Sequence, residues 1–294
     1  FRHKPLVLSN SSAIRLIRVK PELSGSGKIQ CSIEHTTTDS QYMCLSYVWG
    51  STSSAEHLIT IDEKTFAIHH NLSAFLHIAR KKFPHQGFWI DAVCIDQANN
   101  RERNHQVQQM GLIYSKARRV IAWMGNDALI VRFFDLGNRS NYVPFSEPSG
   151  LKEFISNQYW SRAWITQEGY LAADLIFLAQ DTEVSLNRIV NQVRLYDHGG
   201  PEFAYIRPLL SKAGIRGKSL LYLLYIFREK QCSIKADRIF SLLAICDKGS
   251  SLRVDYDLKE KELVRRVLES CPDEACFCTL GLLADVLDLW PSQH

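Results

Sequence analysis

Short apolar segments alternate with amphipathic segments between residues 42 and 124, and this order allows few folds. The apolar segments span 42–48, 88–95 and 120–124, and each is followed by glycine or polar residues. Between them, apolar residues recur every three or four positions over 72–79 and 107–117, which is the spacing of an amphipathic helix. Strand–helix–strand order with short connections predicts an α/β fold, in which helices flank a parallel sheet and the crossovers are right-handed.

The later part of the chain has different patterns. Residues 127–158 have no clear periodicity and are predicted to form an insertion or a long loop. Residues 219–228 are apolar on nearly all sides, which predicts a buried helix, and further helical patterns follow it. We therefore expect two parts: an α/β core at 1–204 and a mostly helical C-terminal extension at 205–294 that packs on this core.

Charge and composition exclude several classes of protein. The 294 residues carry a net charge of +4 and the basic residues are scattered, so no nucleic-acid partner is expected. The longest apolar run, 220–227, is far shorter than the roughly 20 residues of a membrane-spanning helix. We find no signal-peptide core, and the eight cysteines contain no C-x-x-C pair. We expect a cytoplasmic protein with no membrane span, no metal site and no required cofactor.

The ends of the predicted strands mark a candidate ligand site. In parallel α/β sheets, ligands bind beyond the carboxyl ends of the strands. This rule places residues 49–50, 91–97 and Gly125 along one edge of the sheet.

Asp91 lies at this edge, inside the second predicted strand. A carboxylate in a buried strand is costly unless it is paired or functional. Two interpretations therefore remain open for Asp91: a functional acid, or a buried structural ion pair with Arg101 or Arg103.

Glu168 is a second candidate acid. It follows Trp164 by four residues, so the two side chains share one face if this segment is helical. A carboxylate beside an indole in a cleft has a raised pKa because it is desolvated, and a raised pKa suits acid–base chemistry. The alternative is a structural ion pair of Glu168 with Arg162 or Arg103.

These residues belong to an ordered set of motifs. The set comprises LSYVWG at 45–50, WIDAVCIDQ at 89–97, a spaced pattern from ER to WMG over 102–125, RAWITQE at 162–168, and DRIFSLL at 237–243 followed by DY at 255–256. It resembles the fungal heterokaryon-incompatibility (HET) domain over about residues 42–256. Asp96 stands where the HET motif usually has Asn, and Ser241 where it usually has Ala.

The resemblance implies a role in self/non-self recognition and programmed cell death in filamentous fungi. HET domains are regarded as distant relatives of TIR domains, which have a flavodoxin-like α/β fold and often cleave NAD between nicotinamide and ribose. By that analogy, NAD is the substrate and Glu168 is the catalytic carboxylate.

The same analogy implies a set of ligand-binding residues, with aromatic rings for the bases, arginines for the diphosphate and acids for the ribose. These residues are Tyr47, Trp49, Gly50, Asp91, Asp96, Gln97, Arg103, Arg162 and Trp164. The alternative function is a non-enzymatic death-signalling and oligomerisation module. With either function, the expected protein partners are further copies of the chain or an incompatibility partner protein.

Overall fold

The computed structural model of this protein describes residues 1–50, 56–139, 149–204, 206–210, 214–215, 217–247 and 251–290. Within these residues, nine strands form one sheet. They are β1 (Ala13–Leu23), β2 (Ile29–Thr37), β3 (Met43–Ser46), β4 (His57–Ile61), β5 (Lys64–Ile68), β6 (Gly87–Trp89), β7 (Arg119–Trp123), β8 (Leu175–Ala179) and β9 (Thr182–Ser185).

Helices cover the sheet and make up most of the regular structure after residue 185. They are α1 (His70–Lys82), α2 (Asp91–Cys94), α3 (Asn100–Lys116), α4 (Ala128–Asn138), α5 (Leu151–Ile155), α6 (Trp164–Leu171), α7 (Leu186–Tyr196), α8 (Arg207–Leu210), α9 (Leu220–Phe227), α10 (Asp237–Phe240), α11 (Glu260–Ser270) and α12 (Phe277–Val286). None of these helices combines the length and the apolar character needed to cross a bilayer.

The strand order is β5-β4-β2-β1-β6-β3-β7-β8-β9. The centre is parallel, because β3 pairs in parallel with both β6 and β7, and β7 pairs in parallel with β8. On either side the sheet turns antiparallel, through β1 against β6 and β9 against β8. The predicted α/β fold with flanking helices and a mostly helical C-terminal part is confirmed. The antiparallel pairing of β1 with β6 and of β9 with β8 was not predicted.

The prediction of a single strand over 88–95 is wrong. β6 ends at Trp89, and the chain then turns into the single helical turn α2. In this turn the carbonyl of Asp91 accepts from the N–H of Ile95, and the carboxylate of Asp91 accepts from the N–H of Ala92 at 2.7 Å. Asp91 therefore follows the strand and starts a turn, where a carboxylate is favourable beside free N–H groups.

Asn71, in the first turn of α1, links two neighbouring strand ends. Its side-chain amide donates to the carbonyl of Val48 at 2.6 Å, after β3, and its oxygen accepts from the indole N–H of Trp123 at 2.8 Å, at the end of β7. The carboxyl edge of the parallel strands is thus held together by two partly buried polar contacts.

A buried ion pair joins β1 to the loop that carries Asp91. The guanidinium of Arg15 binds both carboxylate oxygens of Glu102, at 2.5 and 2.9 Å, and both side chains are at most 2% exposed. Arg15 also donates to the carbonyl of Cys94, and Glu102 accepts from the N–H of Asp96 at 2.8 Å. Burial alone would raise the pKa of Glu102, but the bonds from Arg15 and Asp96 lower it below its ordinary value.

We expect Arg15→Ala to lower the free energy of unfolding by about 3–5 kcal/mol, because it leaves the Glu102 charge buried without its partner. The matched control is Arg18→Ala, on the same strand, whose pair with Glu34 is about 40% exposed. It should cost less than about 1 kcal/mol. Urea unfolding at neutral pH measures both values, and equal losses would contradict this account of the buried pair.

Candidate functional site

A pocket of about 510 Å³ opens at the carboxyl edge of the parallel strands. The residues at its floor come directly after β3 and β6 in the sequence. One wall is formed by α3, and another is formed at the start of α6. The outer wall comes from residues 231–237 and from Tyr256. Gly50 has a φ of +87°, which favours glycine, and it turns the chain directly after Trp49 at the pocket edge.

The structure brings most of the sequence-predicted ligand residues into this pocket. Those that line it are Trp49, Gly50, Asp91, Gln97, Arg103, Arg162 and Trp164. Tyr47, Asp96 and Glu168 are not among its lining residues. Gly125 also lies outside the lining, where its carbonyl accepts from the N–H of Gln180 at 3.0 Å.

Asp91 is the first of two carboxylates in the pocket. It accepts from the indole N–H of Trp49 at 3.0 Å and from the N–H of Ala92. Burial raises the pKa of Asp91 above its ordinary value, against the opposing charge of Arg162. The side chain of Gln97 donates to the carbonyl of Asp91 at 3.0 Å, which fixes the loop around this acid.

Asp237 is the second carboxylate, and its surroundings repeat those of the first. It accepts from the phenol of Tyr256 at 2.6 Å, and the nearby indole of Trp164 helps to lower its pKa. It is 8% exposed, and burial raises its pKa although the charges of Arg103 and Arg162 oppose the shift. Each pocket carboxylate therefore lies beside an indole and faces arginine.

The two arginines are held in different ways. The guanidinium of Arg103 stacks over the ring of Tyr256, 4.1 Å from its centroid. Its Nε is buried and has no hydrogen-bond partner among the described residues. The guanidinium of Arg162 donates to the carbonyl of Tyr47. Burial lowers the pKa of Arg162, but the charges of Glu168 and Asp91 outweigh burial and raise it.

Glu168 lies behind the pocket, beneath Arg162. It is 1% exposed, and its carboxylate accepts from the hydroxyl of Ser46, which also contacts the phenol of Tyr159 at 2.8 Å. Burial raises the pKa of Glu168 to about 7, while the charge of Arg162 and the hydroxyls of Ser46 and Tyr114 oppose the rise. The carboxylate is thus enclosed by hydroxyl groups and separated from the pocket.

The other two outlying candidates have structural contacts. Tyr47 is 2% exposed, and its backbone carbonyl accepts from Arg162. The N–H of Asp96 bonds Glu102, and its carboxylate accepts from the N–H of Ala98 at 3.3 Å.

Sequence reasoning missed the outer wall as part of the site. Asp237 and Tyr256 lie in the helical third of the chain, where no rule about strand ends applies. The resemblance included both residues in its motifs but implied no role for them. Among the described residues, no group of three or more His, Cys, Asp or Glu side chains is placed to hold a metal ion.

We expect the stability of the wild-type protein to fall, relative to Glu168→Gln, as the pH rises from about 4.5 to about 7. The folded protein keeps the Glu168 proton in this range, whereas the unfolded chain releases it at the ordinary pKa, so deprotonation favours unfolding. The difference in unfolding free energy between the two proteins should change by about 2–3 kcal/mol between pH 5 and pH 8. Urea unfolding across this range measures it, and parallel pH profiles would contradict the buried acid.

Residues 42–168 match the family model described as Heterokaryon incompatibility protein (HET). The chain is also 33% identical over 143 residues to Heterokaryon incompatibility protein 6, OR allele, of Neurospora crassa. This alignment covers 42% of the chain and 21% of that protein, so the matched region spans about a fifth of the relative. No solved structure matches the chain.

The matched residues 42–168 contain every sequence-predicted site residue, and Asp237 and Tyr256 lie beyond them. The expected relation to TIR domains has no support in these comparisons and stays a prediction. The resemblance to HET proteins is confirmed for residues 42–168.

Proposed function

We propose that this chain acts in fungal heterokaryon incompatibility and cell death, and that its pocket binds NAD and hydrolyses the bond between nicotinamide and ribose. The family match and the name of the Neurospora crassa relative support the first part. The duplicated set of carboxylates, indoles and arginines in one pocket supports the second.

Each chemical group of a dinucleotide has a matching side chain in this set. NAD carries two ribose diols, one diphosphate and two flat rings. The pocket offers the carboxylates of Asp91 and Asp237 for the diols, and the guanidinium groups of Arg103 and Arg162 for the diphosphate. Trp49, Trp164 and Tyr256 add aromatic surface. A volume of about 510 Å³ falls within the usual size of small-molecule sites.

Arg103 supports an anionic ligand in particular. A buried N–H without a partner lowers stability unless a ligand satisfies it. Because Tyr256 holds the guanidinium flat, Arg103 loses little further freedom when it binds a phosphate oxygen.

The reaction needs a carboxylate at the ribose carbon. The bond from C1′ to the pyridinium nitrogen breaks, its electron pair neutralises that nitrogen, and positive charge develops on the ribose. A water oxygen then bonds to C1′ and gives its proton to the carboxylate. We assign this contact to Asp91, because it lines the pocket and has a raised pKa.

Glu168 has a different place in this proposal. It lies behind Arg162 and acts on the pocket through the charge of that residue. Glu168 is therefore a positioning residue here. The analogy with TIR domains makes Glu168 itself the catalytic carboxylate, and the two assignments differ in the effect of mutation.

We expect the purified chain to convert NAD to nicotinamide and ADP-ribose, and Asp91→Asn to lower kcat by about 100-fold or more. Glu168→Gln should lower kcat by less than about tenfold, because it alters only the field at Arg162. The control is Asp96→Asn, five residues from Asp91 and outside the pocket lining, which should change kcat by less than about twofold. Product formation, followed over a wide range of protein concentrations, measures these effects, with melting curves to confirm folding.

A larger loss in Glu168→Gln than in Asp91→Asn would overturn the assignment of Asp91. Absence of turnover at every protein concentration, in folded protein, would overturn the hydrolase and favour the second candidate, a death-signalling and oligomerisation module. Exposed apolar side chains on the contacting helices α9 and α12 favour that second candidate. They are Tyr222, Tyr225 and Ile226 on α9, and Phe277 and Leu280 on α12.

A further inference from the structure

The outer wall of the pocket is fixed to the matched region by a row of amides on α3. Asn104 accepts from the N–H of Tyr256 at 3.0 Å, and Gln108 accepts from the N–H of Val254 at 2.7 Å. Asn100 donates to the carboxylate of Asp257 at 2.6 Å. The three amides are four residues apart, so they lie on one face of the helix and hold one segment, 254–257. We call this row the α3 clamp.

A second attachment holds residues 231–237. The N–H of Gln231 donates to the carbonyl of Ser161 at 2.7 Å, and the carbonyl of Gln231 accepts from the N–H of Ala163 at 2.9 Å. These backbone bonds lie on either side of Arg162. Both segments of the outer wall are therefore positioned by directional hydrogen bonds, and Asp237 and Tyr256 meet between them.

Asp237 keeps hydrogen-bonding capacity toward the pocket. An ionised carboxylate has about four acceptor positions, and the phenol of Tyr256 occupies one of them. Asp237 lines the pocket beside Arg103. Because two arginines offset its charge, Asp237 suits neutral hydrogen-bond donors better than a cationic ligand.

We infer that Asp237 forms a subsite for the vicinal diol of a nucleotide ribose, with the attached phosphate at Arg103. Since Asp91 is assigned to the ribose that reacts, the subsite takes the other ribose, that of the adenosine. This inference rests on the proposed function for its ligand class. The inference also means that specificity for the sugar comes from residues outside the matched region 42–168.

The test compares the binding of ADP and 2′,3′-dideoxy-ADP to the full chain by calorimetry. These ligands share the base and the diphosphate and differ only in the diol. Wild type should bind ADP about tenfold more tightly than the dideoxy compound, because bonds to a charged acceptor are lost. Asp237→Asn should reduce this ratio to about two or less, mainly by weakening ADP binding.

A second variant keeps the test valid if Asp237→Asn folds poorly. Tyr256→Phe retains the ring under Arg103 and removes only the hydroxyl that orients Asp237, so it should lower the ratio without reaching that of Asp237→Asn. The matched control is Tyr225→Phe. Tyr225 stacks with Arg228 at 4.6 Å on the exposed side of α9, and its variant should keep the wild-type ratio.

Each other result has a definite meaning. Equal affinity of wild type for both ligands would overturn the subsite. A loss of affinity for both ligands in Asp237→Asn, with the ratio kept, would show that Asp237 only maintains the wall. NAD turnover without any ADP binding would overturn the subsite but not the proposed hydrolase. Diol-dependent ADP binding without NAD turnover would overturn the hydrolase but not the subsite.

Discussion

The guanidinium of Arg162 is the positive charge on which both sides of the site depend. It stands between the buried acid Glu168 and the pocket acid Asp91, and each of these carboxylates is desolvated enough to have a raised pKa. Without this cation, two like charges would share a poorly hydrated region, and the pKa of both carboxylates would rise further. Its bond to the carbonyl of Tyr47 fixes Arg162 to the end of β3, so the charge balance is tied to the sheet itself.

The same arrangement, an indole beside a carboxylate, occurs at two places in the pocket. An indole N–H donates to a carboxylate on the β6 side, from Trp49 to Asp91, and an indole again lies beside a carboxylate on the C-terminal side, at Trp164 and Asp237. An indole is a donor that never competes as an acceptor, so each acid is oriented without being neutralised. This leaves both carboxylates able to accept hydrogen bonds from a bound molecule.

The sequence predicts the parallel centre of the sheet, because β3 and β7 are short apolar runs separated by amphipathic helices. It does not predict β1, where Arg15 interrupts the apolar pattern and is paired with Glu102, 87 residues away. The prediction for Asp91 gives the correct sheet edge but the wrong element, since a continuous apolar run cannot show that a strand ends after three residues. Glu168 was expected at the ligand because helical spacing relates it to Trp164, yet the same helix directs it beneath Arg162. Asp237 and Tyr256 reach the pocket only through contacts between distant segments, which no local pattern contains.

The α3 clamp has a consequence for how this pocket can diversify. Two of its three bonds end on backbone N–H groups of residues 254–257, which every amino acid except proline provides. The side chains of that segment can therefore be exchanged while its path along α3 is kept. Such an arrangement separates the scaffold, built from the sheet and α3, from a replaceable surface at the pocket.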